Sequence, residues 1–170
     1  LTIRELNNSL IIYLSNRKTP DAGNNFNESY KEIDPRIQAP PCESLVSFYK
    51  FEGYKVYQLK ASDVTVADLY NTDKARLVYE CDVKNNVSKL VNFTMDQNIG
   101  FAVPREEVSG LNKGINHSFI LTEDAFGGTL INHKKYYFLA IAYAHNNYKS
   151  YNPTDPSALD GQQQPYLPGR

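Results

Sequence analysis

Phe48-Tyr49-Lys50-Phe51-Glu52-Gly53-Tyr54-Lys55-Val56-Tyr57-Gln58-Leu59 is the stretch that decides the fold. Tyr49, Phe51, Gly53, Lys55 and Tyr57 alternate with Phe48, Lys50, Tyr54, Val56 and Gln58, the period of two that places successive side chains on opposite faces of a strand. Both faces carry aromatics. Gly53, inside the run, marks a bulge or a close approach of another backbone.

The same period recurs on either side. Leu10-Ile11-Ile12-Tyr13-Leu14 follows Asn7-Asn8, and Thr2-Ile3-Arg4-Glu5-Leu6 precedes it, so a strand leads through a tight Asn-Asn turn into a second strand. Ala75 to Val83 and Val87 to Met95 flank Lys84-Asn85-Asn86, which reads as a hairpin turn because Asn tolerates positive φ. His117 to Thr122 reads as another strand. Tyr136 to His145 is the most apolar one and is expected to be the most central. Val66 to Tyr70 reads as one or two helical turns, with Ser62 or Asp63 as the cap.

Two regions are irregular. Arg17 to Glu43 holds the breaker clusters Thr19 to Asn25 and Gln38 to Pro41, and some strand or helical turn is expected inside so long a loop. After Asn146 the chain runs through Asn152-Pro153-Thr154-Asp155-Pro156, Asp160-Gly161, Pro165 and Pro168. The pattern predicts an all-β chain, a β-sandwich with little helix.

Composition bounds the function. The 170 residues are 41% hydrophobic, enough for one sizeable core, and 18 Lys and Arg stand against 19 Asp and Glu. A near-neutral chain without a basic run argues against nucleic acid as a partner, and its apolar stretches are too short for membrane insertion. Leu1 opens the sequence and Met95 is its one Met, so it reads as a fragment of a larger protein. Cys42 and Cys81 are too few for a disulfide scaffold and lack zinc spacing; whether they are bonded is open.

No catalytic constellation emerges. His117, His133 and His145 each lack a His or Cys within four residues, so they are expected to be packing or solvated side chains. Glu106-Glu107 and Glu123-Asp124 are adjacent pairs that a strand would send to opposite faces, unlike the facing carboxylates of a glycosidase. Ser109-Gly110 lacks the nucleophile-elbow pattern, and Gly127-Gly128 stands alone without a phosphate-binding pattern. The loop from Asn152 to Gly161 offers oxygen ligands without EF-hand spacing; turn-forming residues are its main reading, and calcium at Asp155 and Asp160 the minor one. Of the 13 Tyr, the strand positions supply core, leaving Tyr148, Tyr151 and Tyr166 as candidate ligand-facing loop aromatics.

Two places resemble the fibronectin type III module. Phe51-Glu52-Gly53-Tyr54-Lys55-Val56-Tyr57 looks like that family's third strand, and Leu130 with Tyr136 six residues later resembles its tyrosine corner. The resemblance implies a fibronectin type III or immunoglobulin-like sandwich with Phe138, Ala140 and Ala142 inward. It covers about 90 residues. The family's early Trp is missing, and the segment around 60–115 is longer than in a standard module, as if a helix and hairpin were inserted. The family's last edge strand is not visible, and is expected beyond Arg170 or from elsewhere.

The arrangement is also similar to modules of very large secreted or surface proteins of Bacteroidetes-type bacteria, on Phe51 to Tyr54, Lys74 to Val78 and Asn152 to Pro156. That likeness implies an extracellular or cell-surface location and export by the type IX route. The expectation is a non-catalytic module, residues 1–170, without cofactor. It would space or dock neighbouring domains of its chain or other surface proteins, by surface complementarity and strand pairing at an unfilled edge. Tyr54, Val56, Leu130, Tyr136, Phe138 and Ile141 would carry the fold. The alternative is a carbohydrate-binding module of a secreted glycan-degrading system.

Overall fold

The computed structural model describes residues 1–14, 28, 31–37 and 48–169. The chain is an all-β sandwich, and among the described residues the helical pieces are two 3-10 turns, Val66–Asp68 and Pro156–Ala158. The strands are β1 (Thr2–Leu6), β2 (Ser9–Tyr13), β3 (Lys31–Ile33), β4 (Phe48–Leu59), β5 (Ala75–Asp82), β6 (Lys89–Asp96), β7 (Phe101–Ser109), β8 (Ser118–Leu121), β9 (Tyr137–His145) and β10 (Tyr166–Pro168).

β1, β2 and β8 form one antiparallel sheet. The second runs β10-β9-β4, and both β3 and β5 lie along the far side of β4. β6 and β7 make a separate hairpin. The β1–β2 turn is the Asn-Asn turn the sequence predicts, with Asn8 at φ 52°.

Alternation along β4 and β9 explains the layering. One face of the larger sheet carries Val56 and Phe138, which pack with Leu10 and Ile12 of β2, with Leu14 just after it, and with Leu130. The opposite face carries Leu59, Ile141 and Tyr143. Leu69 covers the first two, and Leu90 and Val108 of the hairpin cover Tyr143. The aromatics on both faces of β4 are thereby accounted for: this sheet is covered on both sides.

Gly53 does what its position predicts. The β4–β9 register shifts between Phe51 and Gly53, and a Cβ there would lie 2.6 Å from the Tyr143 hydroxyl oxygen and collide with the Cys81 carbonyl.

Four expectations are corrected. Lys84-Asn85-Asn86 does not close a hairpin: β5 pairs with β4, and β6 pairs with β7. Val66 to Tyr70 supplies only a 3-10 turn, and Thr65 is its cap. Tyr136 to His145 is not the most central strand: β4 is, with β9 on one side and β3, the strand inside the long irregular stretch, and β5 on the other. The last edge strand is present as β10, but it pairs only with Tyr143 to His145. Cys42 lies outside the described residues; Cys81 is buried, with its sulfur 3.7 Å from the Asn116 carbonyl oxygen.

Candidate interaction site at the edge of β9

The site begins with the turn before β9. Leu130 is buried, and the Tyr136 hydroxyl accepts a hydrogen bond from the Ile131 N–H at 2.9 Å. Asn132 ties the same turn to the β1–β2 hairpin, accepting from Asn8 N–H at 3.1 Å and donating to the Asn7 side-chain oxygen at 3.0 Å. β9 therefore starts from a fixed point.

The edge of β9 facing β10 is only partly paired. Asn146 donates its N–H to Pro165, and the carbonyl of Ala142 lies against Gly169. Backbone groups of alternate residues in a strand share an edge. The N–H and C=O of Ala144, Ala142, Ala140 and Phe138 thus point to the β10 side, while Ile141 and Leu139 face Lys55 and Tyr57 of β4. β10 pairs with Ala144, and no described strand lies opposite Ala140 or Phe138.

A cleft of about 490 Å³ opens between the two sheets beside this edge, lined by Ile3, Leu6, Leu10, Leu130, Tyr136 and Phe138. Ile3 pairs with Ile12, so the two side chains share the core face; yet Ile12 is fully buried and Ile3 is 39% exposed. That contrast places the open part of the cleft beneath β1. Glu5, His133, Lys134 and Lys135 also line the cleft, and Lys134 is engaged by Asp124 at 2.8 Å.

The other polar groups serve the fold. Lys55, 4% exposed, donates from Nζ to the Glu107 carbonyl and stands 3.7 Å from the Glu80 carboxylate. It also faces the rings of Tyr143 and Tyr166 at 5.7 and 5.1 Å. Burial lowers the Lys55 pKa and raises that of Glu80, each opposed by the charge of the other. Glu107 accepts from Arg105 Nε at 2.7 Å and from the Tyr70 hydroxyl at 2.9 Å. This network fastens the β6–β7 hairpin to the central sheet.

The sequence candidates do not converge. Tyr166 is not a loop residue: it lies in β10, is 4% exposed and packs in the core with Tyr143. Tyr148 is half-buried and donates its hydroxyl to the Asp160 carbonyl at 2.8 Å; Tyr151 meets the Phe93 ring edge-on. Asp155 caps the second 3-10 turn through Ser157, and Asp160 pairs with Lys149. Glu106 pairs with Lys89 on the surface while Glu107 is buried, the opposite-face arrangement the sequence implies. His117 meets Glu28 at 2.6 Å, and His145 lies 3.7 Å from Glu52. Among the described residues, no group of three His, Cys, Asp or Glu is set to hold a metal ion.

Sequence reading missed the cleft residues Ile3, Leu6 and Leu10 as a site. Their strand pattern signals packing, and only the folded chain shows that Leu10 is buried while Ile3 and Leu6 stay exposed. Comparison with known proteins finds no matching family model, no matching characterised protein and no matching solved structure.

Proposed function

We propose that the chain is a non-catalytic interaction module, of fibronectin type III-like build, within a larger exported or surface protein. It docks neighbouring domains or partner proteins. The observation that carries this reading is the apolar cleft between the two sheets, lined by Ile3, Leu6, Leu10, Leu130, Tyr136 and Phe138. An exposed apolar surface rimmed by polar groups marks a site of association.

The family likeness is supported by the strand order β1-β2-β8 against β10-β9-β4-β5 and by the Tyr136 hydroxyl bonded back to the backbone. The exported or surface location rests on the sequence resemblance alone. Fold by itself does not select a function, so the reading is drawn from the site.

The test compares the thermal stability of the isolated 170-residue chain with that of the same residues in the native polypeptide, and titrates the isolated chain with soluble polysaccharides. An interaction module gains stability in the native polypeptide and none from polysaccharide. A saturable rise in Tm with a polysaccharide, lost in Tyr148→Ala or Tyr151→Ala, would replace this reading with the carbohydrate-binding one.

A further inference from the structure

We propose that the side-chain amine of Lys55 and the side-chain carboxyl of Glu80 condense in the folded chain to an amide, a covalent cross-link between β4 and β5. The cross-link lies on the opposite face of the β4 sheet from the apolar cleft and does not depend on what the cleft binds.

Register brings the two groups together. Lys55 and Glu80 are directly opposed in the β4–β5 pairing, so their side chains leave the sheet on the same face. The β6–β7 hairpin covers that face. Lys55 is 4% exposed, its Nζ donates to the Glu107 carbonyl, and the rings of Tyr143 and Tyr166 flank it at 5.7 and 5.1 Å.

The Lys55 ammonium is poorly served as an ion. It has three N–H donors, yet among the described residues it makes one hydrogen bond, to the Glu107 carbonyl. The Glu80 carboxylate stands 3.7 Å away, in ion-pair range but outside hydrogen-bond reach. Two charges buried in this way carry a desolvation cost that a neutral amide does not.

Burial pushes the Lys55 pKa down and that of Glu80 up, toward the neutral amine and carboxylic acid that react. The charges of Glu80 and Glu107 oppose the first shift. Lys55 and the Ser109 N–H oppose the second, and Asp82 adds to it. In the step, the Nζ lone pair of Lys55 attacks Cδ of Glu80 and the C–N bond forms. The C–OH bond breaks, and the hydroxyl leaves with one amine proton as water. Nothing is oxidised or reduced, and no co-reactant is consumed. A pocket of about 380 Å³ lined by Lys55, Glu80, Ser109 and Leu111 gives that water its exit. Fixing amine and carboxyl beside each other replaces the concentration the condensation needs in solution, an effective molarity of about 10⁵ M or more. The loop so closed contains Leu69, which covers Leu59 and Ile141, so the cross-link restrains a core element as well as a strand pair.

Peptide mapping of the native polypeptide, by tryptic digestion and tandem mass spectrometry, tests it. An amide at Lys55 blocks cleavage there. The expected product is the uncut peptide Phe51 to Lys60 branched to Leu77 to Lys84 through Lys55 and Glu80, one water lighter than the two linear peptides together. Fragment ions place the branch, and it is expected in the bulk of the folded protein. Lys55→Met and Glu80→Ala each abolish the branch, and Glu80→Ala restores cleavage after Lys55. Mapping the unaltered protein decides the matter even where a variant does not fold. Linear Phe51 to Lys55 and Leu77 to Lys84 peptides without a branched product overturn the proposal and leave the pair ionic. A branch to Asp82 or Glu107, or one that persists in Glu80→Ala, overturns it equally.

Discussion

The side-chain amide of Asn92 bonds both backbone groups of Tyr166, donating from Nδ2 to the carbonyl at 3.1 Å and accepting from the N–H at 2.9 Å. A carboxamide has the same donor and acceptor pair as a peptide unit, so Asn92 stands in for a neighbouring strand along the outer edge of β10. A strand of three residues is thereby held between β9 and the β6–β7 hairpin, with Phe93 N–H adding a bond to the Gln163 carbonyl at 2.7 Å.

Asn92→Ala removes both bonds and leaves two backbone groups of Tyr166 without their partner in a buried site. Unfolding in urea should show a loss of about 2–4 kcal/mol. Hydrogen exchange should locate the loosening in β10, with the β1–β2–β8 sheet unchanged. Uniform loosening of both sheets would show that Asn92 does not act through β10.

Tyr143 carries the opposite case. Its hydroxyl is buried and finds no hydrogen-bond partner among the described residues, while its ring packs in the core. Tyr143→Phe deletes the unpaired group and keeps the ring, so stability should be unchanged or rise by up to about 1 kcal/mol. A loss greater than that in a denaturant titration would mean the hydroxyl is satisfied.

Gly53→Ala forces a methyl against the Cys81 carbonyl and the Tyr143 hydroxyl, and the first of these is backbone in a paired strand. Overpacking at a site that cannot yield should lower stability by about 3 kcal/mol. Combining it with Tyr143→Phe should recover only part, because the clash with the carbonyl remains. Differential scanning calorimetry of the two variants separates the contributions.

Glu52 gives the fold a pH dependence near neutrality. It is 3% exposed, and burial raises its pKa from 4.5 to about 7; Asp82 adds to the rise, while the Asn85 amide, bonded to both carboxylate oxygens, opposes it. Between those values the native state holds more protons than the unfolded chain, so stability falls as pH rises through this window. His145, whose pKa burial lowers, works in the other direction at the acid end. Glu52→Gln should therefore gain on the parent protein as pH goes from 5 to 8, by about 1–3 kcal/mol in all. Urea titrations at several pH values test it, and a constant difference between the two proteins would refute it.

Sequence reading found β1, β2, β4, β5, β6, β8 and β9, where β-branched runs or alternation stand between turn residues. β7 escaped because Pro104 and the run Arg105-Glu106-Glu107 break the apolar alternation. Glu107 is nevertheless buried, because Tyr70 and Lys55, distant in sequence, engage its carboxylate and carbonyl, and Arg105 of the same strand adds a second bond to the carboxylate. Tyr166 was misread for a related reason. Its neighbours Gln162-Gln163-Gln164-Pro165 carry turn chemistry, and only Asn92 and His145 make a strand of it.

What the sequence by itself determined is what neighbours along the chain decide: the all-β class, the Asn7-Asn8 turn and a special role for glycine at position 53. Steric preference and side-chain period act over a few residues and leave their mark there. Which strands pair, and in what register, depend on contacts between residues tens of positions apart. Those contacts follow from covering both faces of the β4 sheet at once, a condition that no local pattern contains and only the folded chain meets.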